Sequence, residues 1–256
     1  MSSDTPSNTS KAEANYREAL QLITTQQEED AQRAVQLFIE AAQMGHARSQ
    51  CNLGYMYSEG IGVECDMAMS LEFFEKSAEQ GVAQAQVNMG VYYEQGRGVP
   101  KDIQKAAYWY EKAALQRHPD AAFNLGLLYY TGDFFAQDLE KALRLFRIAA
   151  DQFHPSACYS LGLCYNLGHG VDKNDNMAVF YYKLASDKGH VSAQFNLGLH
   201  FYYGLGGLEV DKYEAKALFE QALKNGHPKA AHALESIIAE IAEEEAQSGS
   251  EAEPEE

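Results

Sequence analysis

The side chains best suited to metal chemistry gather in one stretch: His154, Cys158, Cys164 and His169. Imidazole and thiolate are good zinc ligands, but zinc needs three or four converging on one point. Here His154 and Cys158 form a lone His-x3-Cys on one helix face. Cys158 and Cys164 are six residues apart, roughly 9 Å along a helix axis, which is too far for a disulfide. Ordinary buried cysteines are therefore expected. Five of the eight histidines, His46, His118, His154, His190 and His227, recur at one place in a repeating pattern, which predicts a capping role. The loops SEGIGV, EQGRGV and NLGHGV resemble phosphate cradles only superficially, with neither a following Lys-Ser/Thr pair nor a strand. No serine stands in a nucleophile elbow, and no Cys-His-Asn arrangement is suggested. No carboxylate pair is isolated in an apolar segment that would raise its pKa. The expectation is a protein that is not an enzyme, with no catalytic residues, no cofactor and no metal.

Hydrogen-bonding chemistry has more material. Asn52, Asn88, Asn124 and Asn196 stand at matching places on otherwise apolar segments, with Ser160 in the fifth place. A carboxamide both donates and accepts. Beside them lie Phe123, Leu127, Tyr130, Tyr159, Leu163, Phe195, Leu199, Tyr202 and Tyr203. These are side chains of the kind that form apolar pockets, and equally of the kind that form a repeat core.

What positions these residues is a fixed period. Leu/Met-Gly pairs place glycines at 54, 90, 126, 162 and 198, each 36 residues from the last. An aromatic follows each by three residues (Tyr57, Tyr93, Tyr129, Tyr165, Phe201) and a second glycine follows by six. Bulky pairs come next: Phe73-Phe74, Trp109-Tyr110, Leu145-Phe146, Tyr181-Tyr182 and Leu218-Phe219. A period of this length marks a stack of identical supersecondary units. Each reads as two helices. The first is apolar almost all round, hence buried on most sides. The second starts after Asp66, Asp102, Asp138 or Asp211, whose carboxylates can cap free N–H groups. Gly45, Gly81, Gly189 and Gly226 end it, and Pro119, Pro155 and Pro228 open the next helix. A glycine in mid-helix costs about 1 kcal/mol, so five of them imply a gain, most simply close contact between neighbouring backbones.

The motif NMGVYYEQGRGVPKDIQKAAYWYEKAALQRH resembles the Sel-one-like repeat (SLR) family, relatives of the tetratricopeptide repeats, over roughly residues 31–242. The resemblance implies an all-α, right-handed α/α superhelical solenoid serving as a protein-complex adaptor. By the same analogy the first helices line the concave side. A row of asparagines there could hydrogen-bond an extended peptide. Helices pack roughly 8–10 Å apart and a strand advances about 3.3 Å per residue, so one repeat would match about three residues. Alternatively the asparagines pin neighbouring repeats; both readings stay open. The later repeats carry the more apolar first helices.

The formal charge is −17, with eight glutamates and no basic residue in 240–256. That argues against nucleic acid and anionic membrane, which need clustered Lys and Arg. A basic or apolar protein or peptide partner fits, although acidity also serves solubility. The chain has no 18-residue apolar run and its start lacks the apolar core of a secretory signal. The secreted bacterial branch of the family staples each repeat with a cysteine pair. Its absence here points to the cytoplasm and away from the penicillin-binding or β-lactamase activity claimed for that branch.

The expected organisation is a disordered segment 1–10 and an irregular first repeat 11–46. Repeats 47–82, 83–118, 119–154, 155–190 and 191–227 follow, then a cap helix 228–245 and a disordered acidic tail 246–256. The fourth repeat departs most, with Phe134 and Phe135 replacing Gly-Val in its loop. They are a candidate contact patch, or else fold back on the core. They give a second binding mode: a regulatory subunit working through loops or the convex face.

Overall fold

The computed structural model describes residues 6–250, with side chains from 8 to 247. Among the described residues there are thirteen helices and no strands. They come in pairs: α1 (Pro6–Ile23) with α2 (Glu28–Gln43), α3 (Ala47–Glu59) with α4 (Met67–Glu79), and α5 (Ala83–Gln95) with α6 (Ile103–Leu115). Then follow α7 (Pro119–Thr131) with α8 (Leu139–Ala150), α9 (Pro155–Leu167) with α10 (Asp175–Asp187), and α11 (Val191–Tyr203) with α12 (Lys212–Lys224). The last helix is α13 (Ala230–Ser250). This is the all-α helix-turn-helix solenoid fold expected from the period. The chain divides into two compact halves after Leu125. In the first half each helix from α1 to α5 packs on the next in sequence, and in the second half each from α8 to α12 does so.

The ends differ in part from expectation. Residues 6–10, expected disordered, belong to α1, while residues 1–5 lie outside the described residues. The acidic tail expected from 246 is helical as far as Ser250, and residues 251–256 lie outside the described residues.

Local signals work as the spacing predicts. Asp66 accepts hydrogen bonds from the backbone N–H groups of Ala68 and Met69 at 2.9 and 3.0 Å. Asp102, Asp138 and Asp211 cap α6, α8 and α12 in the same way, and Asn174 does so for α10. Each satisfies an N–H group that the first helical turn leaves without a partner. Three of the five repeat-closing histidines are caps too, whereas Nδ1 of His118 and of His227 is buried without a hydrogen bond among the described residues. Nδ1 of His46, His154 and His190 accepts from the N–H of Ser49, Ala157 and Ala193 at 3.2, 3.2 and 3.3 Å.

The motif glycines have a different cause from the one expected. No neighbouring backbone touches them as closely as an aromatic ring from the second helix of the same repeat. A Cβ on Gly54 would lie 2.6 Å from the ring of Phe74, and one on Gly126 2.7 Å from Phe146. Gly162 meets Tyr182 and Gly198 meets Phe219 in the same manner, and Gly90 lies under Tyr110. These five aromatics, the second members of the bulky pairs, are all at most 2% exposed. Each repeat thus stacks a buried ring on the bare backbone of its own first helix. The aromatic three residues after the glycine meets the first member of the pair: Tyr57 stacks on Phe73 and Tyr165 on Tyr181, each at 5.7 Å between centroids.

Candidate protein-interaction site

The chemistry-bearing residues of the His154–His169 stretch all have structural occupations. His154 caps α9, Cys158 and Cys164 are buried thiols, and His169 Nδ1 meets the Tyr130 hydroxyl at 2.8 Å. Burial pushes the Cys164 thiol up to about 11, and it does the same to Cys51, so neither is a ready nucleophile. Among the described residues no group of three or more His, Cys, Asp or Glu is placed to hold a metal ion.

The asparagines are half-buried at all four places. Asn88 accepts from Gln84 Nε2 at 3.4 Å along the face of α5. Asn124 lies beside the buried hydroxyl of Tyr110 and favours its ionised form. That hydroxyl also donates to Glu94 Oε2 at 2.6 Å, and burial above all pushes its pKa far up. Asn196 stands in the corresponding place beside Tyr182 and favours that tyrosine's ionised form, against the larger effect of burial. Even so, the Tyr182 hydroxyl has no hydrogen bond of good geometry among the described residues. The pattern follows the preceding repeat: Tyr110 and Tyr182 stand 14 residues before Asn124 and Asn196, whereas the residue 14 before Asn88 is Phe74, which has no hydroxyl.

Glutamines brace the two helices of a repeat and also join it to the repeat before, which sequence reasoning missed. Gln80 Nε2 donates to Gln50 Oε1 at 2.6 Å, Gln116 to Gln86 at 2.9 Å, and Asn225 Nδ2 to Gln194 at 3.0 Å. Gln50 and Gln86 in turn donate to the carbonyls of Ala42 and Ala78 at 3.4 and 3.1 Å. Buried carboxamides need such partners: the three amide pairs tie the end of a second helix to the first helix of the same repeat, and the two carbonyl bonds reach the second helix of the repeat before. The signal was present: glutamine stands at 50, 86 and 194, four residues before three of the five motif glycines.

The apolar candidates separate by exposure. Phe123, Leu127, Tyr130, Tyr159 and Leu163 are half-buried. Phe195 belongs to the core instead. It is 9% exposed and stacks on His227 at 4.1 Å, with Phe219 on another side at 5.4 Å. Leu199, Tyr202 and Tyr203 are brought together around a cavity of about 290 Å³, closed by Phe219 and by Ala233, Ser236 and Glu240 of α13. Tyr203 is 62% exposed, and Leu167, the corresponding residue of α9, is 55% exposed. The Tyr202 hydroxyl donates to Glu240 Oε1 at 2.5 Å, and Lys212 Nζ approaches Glu240 Oε2 at 2.8 Å. These two bonds hold the Glu240 carboxyl below the usual carboxylate range. In the loop of the fourth repeat, Phe135 folds back onto Tyr129, with centroids 5.6 Å apart, while Phe134 is 51% exposed.

Comparisons with known proteins agree with this architecture. The family model described as the Sel1 repeat matches residues 25–46, 47–82, 83–118, 119–152, 155–190 and 191–227. Among solved structures, the chain is 32% identical to a Sel1 repeat protein from Oxalobacter formigenes, with a TM-score of 0.77, covering 86% of this chain and 87% of that one. It is 29% identical to c5321, a protective antigen of uropathogenic Escherichia coli strains displaying an SLR fold, with a TM-score of 0.83. That match covers 90% of this chain, which spans 50% of the antigen's length. A third likeness is to the immunity protein PA5088 from Pseudomonas aeruginosa, 25% identical with a TM-score of 0.53, covering 93% of this chain and 84% of that one. No curated protein matches the chain.

Proposed function

Since the chain belongs to the Sel1 repeat family, a family of protein-interaction modules, we propose that it is a non-enzymatic adaptor or scaffold. It receives a peptide segment or partner protein on the outward face of its first helices, the concave face in such folds. The observation that carries this reading is the exposure of large apolar side chains at one repeat position. Leu167 and Tyr203 stand largely in water on α9 and α11, next to half-buried Leu163 and Leu199. Grouped apolar exposure of this kind marks interaction surfaces. The partner is basic or apolar, given the net charge of −17, and neither nucleic acid nor an anionic membrane. No described helix is long and apolar enough to cross a membrane. Four free cysteines and no repeated cysteine pair favour the cytoplasm as the place of action.

Affinity purification with mass spectrometry tests the reading, with an Asn88→Ala/Leu167→Ser protein as control bait. Leu167 is largely exposed, and Asn88 is half-buried and accepts from Gln84 on its own helix, outside the bonds of Gln50, Gln86 and Gln194. Asn124 is left intact because it serves Tyr110. Partners should be recovered with the native chain and lost with the variant at an unchanged melting temperature. Equal recovery would remove the first-helix reading.

One observation favours a second reading, the 51% exposure of Phe134 in the irregular loop. Changing Phe134 and Phe135 to serine separates the two. Lost capture with the first-helix face intact assigns binding to the loop. The enzyme alternative is checked by nitrocefin turnover, where a rate above the buffer blank would favour it.

A further inference from the structure

We infer that the cavity between α11 and α13 takes one large apolar side chain, such as phenylalanine, carried by a basic peptide segment. This deepens the function proposed above and rests on it, since Leu199 and Tyr203 belong to the same first-helix face. Three observations support it.

The first is size and lining. The cavity measures about 290 Å³, whereas a dry cavity of about 150 Å³ suffices for benzene. Leu199, Phe219 and Ala233 give it apolar walls. Tyr202 and Tyr203 meet edge to face at 4.7 Å, so one ring sits fixed at the rim while the other, 62% exposed, borders solvent. A phenylalanine ring set against this pair can make the edge-to-face or offset-stacked contacts that aromatic side chains prefer.

The second is rigidity. The Tyr202 hydroxyl is held by Glu240, and Glu240 and Glu244 are both held by Lys212, at 2.8 and 2.7 Å. The rim is therefore organised before a guest arrives, which lowers the ordering cost of binding.

The third is charge. Ala233, Ser236, Glu240 and Glu243 follow one another at three- and four-residue steps and so share a stripe on α13. Lys212 serves Glu240 and Glu244, and Glu245 accepts from the Tyr213 hydroxyl at 2.9 Å. Glu240 lines the cavity, and with Glu243, Glu244 and Glu245 following it on α13 against Lys212, this end of the helix beside the mouth keeps a net negative charge. Lysine or arginine beside the inserted side chain meets that field favourably, and a flanking carboxylate meets it unfavourably.

The test is an NMR titration of the full chain with three capped pentapeptides: Arg-Lys-Phe-Lys-Arg, the same with alanine for phenylalanine, and Glu-Asp-Phe-Asp-Glu. The first should shift amides of α11 and α13. The second should bind about tenfold more weakly, and the third should not bind. Ser236→Phe fills the cavity from the α13 side and should abolish the shifts. If that variant melts early, Tyr203→Ala, which removes an exposed wall, replaces it. Unchanged binding to both variants, equal binding of all three peptides, or no shifts on α11 and α13 would each overturn the inference. So would a dimer of the native chain that Tyr203→Ala dissociates, because a second copy would then be the occupant. If Arg-Lys-Phe-Lys-Arg shifts α9 but not the cavity, the inference falls while the first-helix reading stands. Shifts confined to second helices remove both.

Discussion

The ring of Tyr182 occupies the space in which a side chain on Gly162 would begin, with a Cβ there only 2.5 Å from the nearest ring carbon. Tyr182 is fully buried and has nowhere to retreat. At an ordinary exposed helical site, glycine to alanine gains about 1 kcal/mol. Here overpacking, typically about 1–3 kcal/mol, opposes that gain. Gly162→Ala is therefore expected to destabilise by about 1–2 kcal/mol, read as a lower urea midpoint with unchanged slope. Shortening the ring in Gly162→Ala/Tyr182→Leu should recover part of the loss relative to Tyr182→Leu alone. A stabilising single substitution would show that the ring does not set the glycine.

Two repeats end their second helices without glycine. Gly45, Gly81, Gly189 and Gly226 take φ values of 78 to 92° at this place, whereas Arg117 and Phe153 sit at 61 and 58°. A non-glycine residue pays about 1–2 kcal/mol in the left-handed region, and glycine returns about 0.5–1 kcal/mol of that through the unfolded chain. Arg117→Gly and Phe153→Gly should each stabilise by about 0.5–1 kcal/mol. Arg117→Ala keeps the strained backbone and should show no gain. Differential scanning calorimetry of the three variants decides it.

The register, the capping aspartates and the histidine caps are local facts, fixed by neighbours within four residues, and a single repeat suffices to read them. What Gly162 or Gln86 touches is not local. The ring on Gly162 comes from 20 residues further on, and the amide on Gln86 from 30 residues further on. Their positions depend on how two helices cross. The asparagine row drew notice because asparagine is rare on an apolar helix, but the glutamines two residues earlier, Gln50 and Gln86, make the contacts between repeats, to the carbonyls of Ala42 and Ala78. Phe195 was indistinguishable from Leu199 and Tyr203 by sequence. A histidine lid, His227, covers it, and that lid arrives from the next repeat boundary.

α13 closes the C-terminal half. Ile237 is fully buried and Ile241 is 8% exposed, packed with Phe195, Phe219 and Ala222. Burying an isoleucine contributes about 1.5–3 kcal/mol. Removing 228–256 should therefore cost several kcal/mol and expose Phe219. Removing 246–256 keeps Ile241 and the Lys212–Glu244 pair, and should leave melting unchanged. A similar melt for both truncations would show that α13 adds nothing to the core.

The repeat-closing histidines give the fold a pH dependence. The cap on α11 needs Nδ1 of His190 without a proton, because it accepts from Ala193 N–H. His118 shares its Nε2 with Gln84 at 3.2 Å, and its Nδ1 is buried. Burial above all lowers the pKa of His118, His190 and His227 from the ordinary 6.5. Lys229 adds to this at His227 and His154 at His190, while Asp120 opposes it at His118. With the folded pKa depressed, the unfolded chain binds more protons at mildly acid pH. The stabilisation is thus complete above the unfolded value of about 6.5 and is lost as the pH falls from there through the lower folded values. Between pH 7 and pH 5 the melting temperature should fall. Asparagine caps a helix without titrating, so the triple change His118→Asn/His190→Asn/His227→Asn should flatten the profile in this interval, whatever it does to the melting temperature at pH 7. A variant that keeps the native slope would place the acid sensitivity on carboxylates instead.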